Sequence, residues 1–402
     1  MGTRLSWCAC YIRAHFSLGP IPVHVSLSPV ARINLVNVMR EHRMPIPKFM
    51  AAVQLVGHGG YDKQLYSETV ATPVPGLNEV LIRVLAAGIN NTDINTRIGW
   101  YSSEARESTV AANNSEFSPT DGDWAGAGLA FPRIQGADVC GKIVSLGEGV
   151  AQSRIGERVI VQSCLRSLAR GTFTPWLGSE RDGAFAQFVS APSADSYHVQ
   201  CDFSDAELAA VPCAFATAEN LINRAGLAAG EKILITGGSG NVGIAAIQLA
   251  KLRGAEVIAI AASNKFAALK AVGASSCLER GAPIVAALGN GSMDVVIDVV
   301  GGPQWPELLD VLRPRGRYAV SGAIAGPIVQ TDLRKLYLKD LTLFGCTLQD
   351  ADVFPNLIGY IERGEIRPLI AKQYPLRDIA LAQEEFLTKK HLGKIMLIPP
   401  TN

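Results

Sequence analysis

The stretch from Glu231 to Ser263, EKILITGGSGNVGIAAIQLAKLRGAEVIAIAAS, constrains the fold more than any other part of this chain. Lys232–Thr236 is an apolar, β-branched run of strand length. Gly238-Ser239-Gly240-Asn241-Val242-Gly243 follows it with the spacing G-x-G-x-x-G. From Val242 to Lys251 apolar residues recur at helical spacing, and Gly254 marks the stop. Glu256–Ala262 then reads as a second strand. In such a unit the first glycine permits the tight turn, the second lets backbone approach a pyrophosphate, and the third lets the helix lie close to the sheet. Phosphates then sit at a helix N-terminus, where unpaired N–H groups and the helix dipole favour anions. Glycine-rich turns have many structural uses, so the spacing alone says little. Its strand–turn–helix–strand setting points to a bound dinucleotide, against a βαβ unit that binds nothing.

The pattern continues around this unit. Ser276–Leu278, Met293–Val299, Gly316–Ser321 and Leu341–Cys346 are four further strand-like runs. With the first two they make six, the number in a doubly wound dinucleotide-binding sheet. Upstream the texture differs. Met50-Ala-Ala-Val-Gln-Leu-Val, Glu79–Ala86, Gly141–Leu146, Glu157–Val161 and Ala184–Val189 are short strands between glycine-rich turns. Residues 102–130, rich in Ser, Ala, Gly and Asn, read as a long loop: a pocket wall or lid, or a surface insertion. Asp352–Arg363 reads as a helix, with Pro355 in its first turn and Gly364 as stop, and Ile395–Ile398 as a closing strand. The expected class is α/β. A mostly-β domain spans 50–202 and is completed by 348–402, a doubly wound domain spans 203–347, and 1–49 precedes them as an extension.

Composition narrows the function classes. The chain is 48% hydrophobic and 18% charged with a net charge of +1, so nothing favours nucleic acid or an anionic membrane as partner. No apolar run reaches about 18 residues, the length that spans a bilayer. The eight cysteines are scattered without C-x-x-C, as expected of reduced thiols in a cytoplasmic protein. Residues 1–49 are basic and acid-poor, with Glu41 their one acidic residue. An upstream tail explains this, and so does an organelle-targeting segment.

Four further motifs carry a family resemblance. They are Ala87-Gly88-Ile89-Asn90-Asn91-Thr92-Asp93, Gln135-Gly136-Ala137-Asp138-Val139-Cys140-Gly141, Gly156-Glu157-Arg158-Val159, and Pro212-Cys213-Ala214-Phe215-Ala216-Thr217-Ala218. With the order of domains, they resemble the medium-chain dehydrogenase/reductase superfamily over about residues 50–400. The resemblance implies a GroES-like catalytic domain, a Rossmann domain and a homodimer joined through the edge strand Leu341–Cys346. Zinc members of this superfamily place three ligands at positions corresponding to Asn90, Ala137 and Cys213. Ala137 has no ligating atom, and an Asn amide is a poor ligand beside thiolate or imidazole. The four-cysteine structural lobe is absent too, so no metal is expected. Asp138, beside the lost ligand, would brace the site by hydrogen bonding or coordinate something itself.

Gly88-Ile89-Asn90-Asn91-Thr92-Asp93 fits the G-x-N-x-x-D of the zinc-free quinone oxidoreductase, or zeta-crystallin-like, branch. That likeness implies hydride transfer from a nicotinamide to a quinone, enone or enal. Asn90, Thr92 and Tyr101 are the candidate donors to the developing oxyanion, with Asp93 as a strand-end brace. Thr92 and Tyr101 equally suit a turn hydroxyl and a wall aromatic. Asn95 stands where many relatives carry Tyr, which makes the pocket more polar. An acidic residue that would bond a ribose 2′-hydroxyl is missing at Ala261, while Ser263, Lys265 and Arg280 follow, which favours NADP(H) over NAD(H). Lys265 and Arg280 also suit ordinary surface charges. Gly238–Gly243 would hold the pyrophosphate, and Thr217, Ser321 and Gly322 the nicotinamide half. Two alternatives stay open: a zinc-type alcohol dehydrogenase, and a non-catalytic NADPH-binding protein of the zeta-crystallin kind.

Overall fold

A computed structural model describes residues 46–114, 129–171 and 173–401. The extension before residue 46, and the part of the long loop at 115–128, lie outside the described residues. In chain order come β1 (Phe49–Leu55), β2 (Gln64–Ala71), β3 (Glu79–Gly88), α1 (Asn91–Arg97), α2 (Thr109–Asn113), β4 (Arg133–Ile134), β5 (Cys140–Leu146) and β6 (Arg158–Val161). Then follow β7 (Phe188–Pro192), β8 (Ser196–His198), α3 (Asp205–Ala209), α4 (Pro212–Arg224), β9 (Lys232–Ile235), α5 (Asn241–Leu252), β10 (Glu256–Ala261), α6 (Phe266–Ala271) and β11 (Ser276–Glu279). The chain continues with α7 (Ile284–Leu288), β12 (Met293–Asp298), α8 (Trp305–Asp310), β13 (Leu312–Val320), α9 (Leu333–Tyr337), β14 (Thr342–Gly345), α10 (Val353–Glu362), β15 (Ile370–Pro375), α11 (Ile379–Thr388) and β16 (Lys394–Ile398).

All six strands expected of the nucleotide-binding region are present and parallel. Their order, β11-β10-β9-β12-β13-β14, is the doubly wound order with its switch point between β9 and β12. The apolar runs of the central strands β9, β10 and β12 are buried on both faces, as parallel strands under helices must be, while the edge strands β11 and β14 are largely exposed. Alternation sorts the side chains. Ile233, Ile235, Val257, Ala259, Val295 and Ile297 enter one core with α4, α5 and α10. Leu234, Ile258, Ile260, Val296 and Tyr318 enter the opposite core with Trp305, Leu308 and Leu309 of α8. A shift of one residue would exchange the two sets, so the register is firmly specified.

The other large sheet runs β15-β16-β3-β5-β6-β8, with β7 also paired to β3, and a small sheet runs β2-β1-β4. Within the return segment, β15 and β16 join this sheet, whereas Val353, Phe354, Leu357 and Ile361 of α10 join the core around α4 and α5. β16 lies where the two cores meet: Ile395 and Leu397 enter the core of the first sheet and Met396 the core of the second. One strand reading shifts. Ala184–Gln187 is buried but is not a sheet strand, and the ladder starts at Phe188. The reason is divided pairing: Ala184 N and Phe185 N donate to the Gly136 and Gln135 carbonyls, while Phe185 O and Gln187 N bond Val53 and Ala51. The described part of the loop at 102–130 holds α2, whose Ser108 Oγ accepts from Ala111 N at 3.2 Å.

Candidate active site

The C-terminal end of β3 turns at Gly88–Asn90 into α1, and the site is built on that turn. A Cβ added to Gly88 would lie 2.5 Å from Lys394 Cε and 2.6 Å from Asp138 Oδ2. The glycine of G-x-N-x-x-D therefore makes room for a buried ion pair. Lys394 opens β16 and is 1% exposed; Asp138, just before β5, is fully buried. Lys394 Nζ lies 2.5 Å from Asp138 Oδ2 and donates to Asn90 Oδ1 at 2.5 Å. Asn90 Nδ2 donates to Asp138 Oδ2 at 2.9 Å. Asp138 Oδ1 accepts from Cys213 N at 2.6 Å. Cys213 is the second residue of α4, so the carboxylate sits at that helix's N-terminus, where the dipole favours it. The bracing expected of Asp138 is thus present, and it ties β3, β5, β16 and α4 together.

Asp93 lies in the first turn of α1 and braces the same turn. Its Oδ2 accepts from Asn90 N at 2.7 Å. Burial, with the neighbouring Asp138 charge, pushes its carboxyl up to about 7. Burial and Asp138 also push the Cys213 thiol far above its ordinary range, so it stays a protonated thiol.

The three expected donors do not share one arrangement. Tyr101 OH donates to Thr92 Oγ1 at 3.2 Å, and burial pushes the phenol up to about 12, keeping it a donor at neutral pH. Asn90 lies on the same turn, but its amide is taken up by Asp138 and Lys394. Asn95 is buried and accepts from Thr109 Oγ1 at 3.0 Å. The segment carrying Tyr101 packs on the loop after β13: Tyr101 and Ala323 flank Trp100, and Thr109 N donates to Ile324 O at 3.1 Å. Beside this group, Thr92, Thr96, Ala137, Trp176, Leu177 and Ser179 line a small cavity. A second cavity, lined by Phe215, Asn241, Gly393 and Lys394 among others, opens at the start of α5.

The glycine turn keeps its spacing for distinguishable reasons. A Cβ on Gly243 would meet Gly237 O at 2.3 Å and Gly238 Cα at 2.7 Å, and one on Gly238 would meet Ala259 Cβ at 2.9 Å. Packing of the helix on the turn accounts for the first, and packing of the turn on β10 for the second. At Gly240 a Cβ would meet only Gly237 O, at 3.3 Å, and φ is an ordinary −79°. The backbone makes no demand there, and the one neighbour, a carbonyl oxygen, has to give by only a few tenths of an ångström. The turn leaves the N-terminus of α5 open to a ligand and so fits a dinucleotide pyrophosphate. Across the switch point Asp298, fully buried, accepts from Thr236 Oγ1, Tyr318 OH and the N–H groups of Val300 and Gly301, shaping the crevice loop after β12.

Ser263 and Lys265 form the turn that follows β10, and Arg280 follows β11, its N–H donating to Ala261 O at 2.8 Å. Lys265 is less open than its position suggested. Its Nζ donates at 2.8 Å to the carbonyls of Lys389 and His391. The Lys389 amine, on Asn91 Oδ1 at 3.0 Å, is pulled down to about 7 by burial and then by Lys265. Thr217 lies one turn of α4 after Cys213, and Ser321 N donates to Asp298 O at 3.2 Å. Lys394, Lys389 and Asp298 are site residues that no sequence motif singles out. A lysine opening an apolar closing strand was the available signal for Lys394.

Among the described residues no three His, Cys, Asp or Glu side chains are grouped to hold a metal ion. Residues 76–200 match the alcohol dehydrogenase GroES-like domain, and residues 241–363 match the zinc-binding dehydrogenase family. The quinone oxidoreductase of Lama guanicoe is 26% identical, over 87% of this chain and 98% of that protein. The acryloyl-coenzyme A reductase of Metallosphaera sedula is 29% identical, over 87% and 99%. A solved structure from Sinorhizobium meliloti 1021, described provisionally as an alcohol dehydrogenase, is 43% identical over 90% of this chain and all of that one, with a TM-score of 0.81.

Proposed function

The chain belongs to the medium-chain dehydrogenase/reductase superfamily, and from that premise we propose that it reduces quinones or conjugated carbonyl compounds with NADPH and without a metal. The observation that carries this reading is the donor set at the end of β3. Of the three positions corresponding to zinc ligands, Ala137 offers no donor atom and the Asn90 amide is engaged by Asp138 and Lys394. The Lys394 ammonium beside Asp138 would repel a dication at the same place. Zinc therefore does not fit these residues.

When bound, the nicotinamide supplies the hydride. The protein's part is to hold the reactants and meet the charge that develops on the acceptor oxygen. Thr92 and Tyr101 are the groups for this. Their hydroxyls already form a donor–acceptor pair, and a carbonyl oxygen entering the cleft would become a new acceptor for it. Asn90 and Asp93 hold the turn that presents Thr92. The Cys213 thiol stays protonated and serves as no nucleophile. Solvent supplies the proton that completes the product.

The lack of an acid at Ala261, with Ser263, Lys265 and Arg280 following, supports NADPH over NADH. A 2′-phosphate gains from a guanidinium, whereas a carboxylate would repel it. Steady-state kinetics with both cofactors test this. We expect kcat/KM for NADPH to exceed that for NADH by at least about tenfold, the worth of one charge-assisted contact at about 1.4 kcal/mol. In Arg280→Ala the gap should narrow through KM for NADPH alone. A preference for NADH in the wild type would sink the assignment.

A further inference from the structure

Lys394 is a buried cation with two close partners that the reaction scheme above does not use. Its ammonium meets two partners, Asp138 Oδ2 and Asn90 Oδ1, both at 2.5 Å. Those contacts decide which way the Asn90 carboxamide points. Its oxygen must face the ammonium and its nitrogen the Asp138 carboxylate, because the reverse would set donor against donor and acceptor against acceptor. Lys394 is itself tightly held: its backbone N donates to Leu369 O at 2.7 Å, and a Cβ on the preceding Gly393 would lie 2.5 Å from the same oxygen. Gly88 supplies the space on the other side. Asp138 passes the arrangement on to α4 through Cys213 N.

We propose that Lys394 is a positioning residue of the reaction: its buried ammonium, paired with Asp138, orients Asn90 and holds the Thr92-bearing turn against the first long helix of the nucleotide domain. The site thus carries a fixed protein cation at its centre. Lys394 acts through Asn90 and Asp138 and need not touch substrate. The proposal rests on the reading that the cleft beside Thr92 and Tyr101 is where reduction occurs.

Three proteins test it: the wild type, Lys394→Met, and the charge-neutral pair Lys394→Met with Asp138→Asn. The single change strands a buried carboxylate, so it should lower the thermal midpoint; the pair removes both charges and should recover much of it. A purely structural lysine would let turnover recover with the midpoint. A positioning lysine would not, because Asn90 still lacks its ammonium partner. We expect kcat in the paired variant to remain at least about tenfold below wild type, as small displacements of reacting groups cost. KM for NADPH should change less than kcat, since neither variant alters Gly238–Gly243, although Lys394 lines the cavity at the start of α5. The fluorescence of bound NADPH, which reads the nicotinamide's surroundings, should shift in both variants. Recovery of kcat in the paired variant, or an unchanged kcat in Lys394→Met, would overturn the proposal. If the wild type reduces no acceptor while both variants still shift the fluorescence of bound NADPH, the proposed function fails and the ordering of the Asn90 turn by Lys394 stands.

Discussion

Gly240→Val is expected to leave the fold intact and weaken dinucleotide binding by about 100-fold, or about 2.8 kcal/mol. Three glycines of this one turn differ in what surrounds them. At Gly243 an added Cβ would strike the backbone of Gly237 and Gly238, and at Gly238 it would press on Ala259, so substitution at either disturbs the folding unit itself. At Gly240 a Cβ has one neighbour, at 3.3 Å, and the backbone is in a region any residue adopts. Replacing this helix N-cap glycine costs at most about 1 kcal/mol. A valine there would stand in the way of a pyrophosphate bound, as proposed, at the N–H groups that open α5. Calorimetry of NADPH binding, beside thermal unfolding, checks both halves. Unchanged affinity would show that the pyrophosphate does not pass over this turn.

Arg97→Met is the second large effect, and it falls on stability. Arg97 ends α1 and is fully buried, and the acceptors it meets are neutral. Its guanidinium donates to Gln383 Oε1 at 3.0 Å, Gly59 O at 2.6 Å and Asn113 Oδ1 at 2.6 Å, and lies 4.5 Å above the Tyr61 ring. One side chain thereby joins α1, α2, α11 and the turn before β2. Methionine keeps most of the volume and leaves three acceptors without a donor, at about 1 kcal/mol or more each, so the variant should lose about 3 kcal/mol or more. The loosened contact to Asn113 should also free the segment that carries Tyr101, and kcat should fall with stability. Arg334→Ala, which removes an arginine bonded only to exposed Asp332, is the control and should unfold as the wild type does. Equal behaviour of the two variants in urea titration would refute the account of Arg97.

Gly240 and Arg97 also mark how far the local patterns of the chain reach. The glycine turn and all six parallel strands were legible in the sequence because each is such a pattern: an apolar run, a turn residue, a period. Both faces of its central part are covered, so β9, β10 and β12 read as continuous apolar runs. β2 and β15 escaped because QLYSETVA and IAKQYP are half-exposed and mixed in character. α1 escaped for the opposite reason. Its sequence NTDINTR is polar, yet five of its seven residues are buried, and Asn95 and Arg97 find side-chain partners well away in the chain, which no local rule predicts. Asn90 shows the same limit at the site. Its place at the end of β3 was legible, but the commitment of its amide depends on Lys394, contributed from the far end of the chain. Thr92 and Tyr101 lie near each other in sequence, and their pairing was within reach.

The central claim is that this fold performs its reduction with side chains and cofactor alone. The direct measurement is NADPH oxidation by chelator-treated protein against a panel of quinones, enones and enals, with zinc determined on the same sample. Zinc should be substoichiometric and turnover unchanged by the chelator, with at least one acceptor class reduced. Stoichiometric zinc whose removal abolishes turnover, or tight NADPH binding with every acceptor refused, would contradict it.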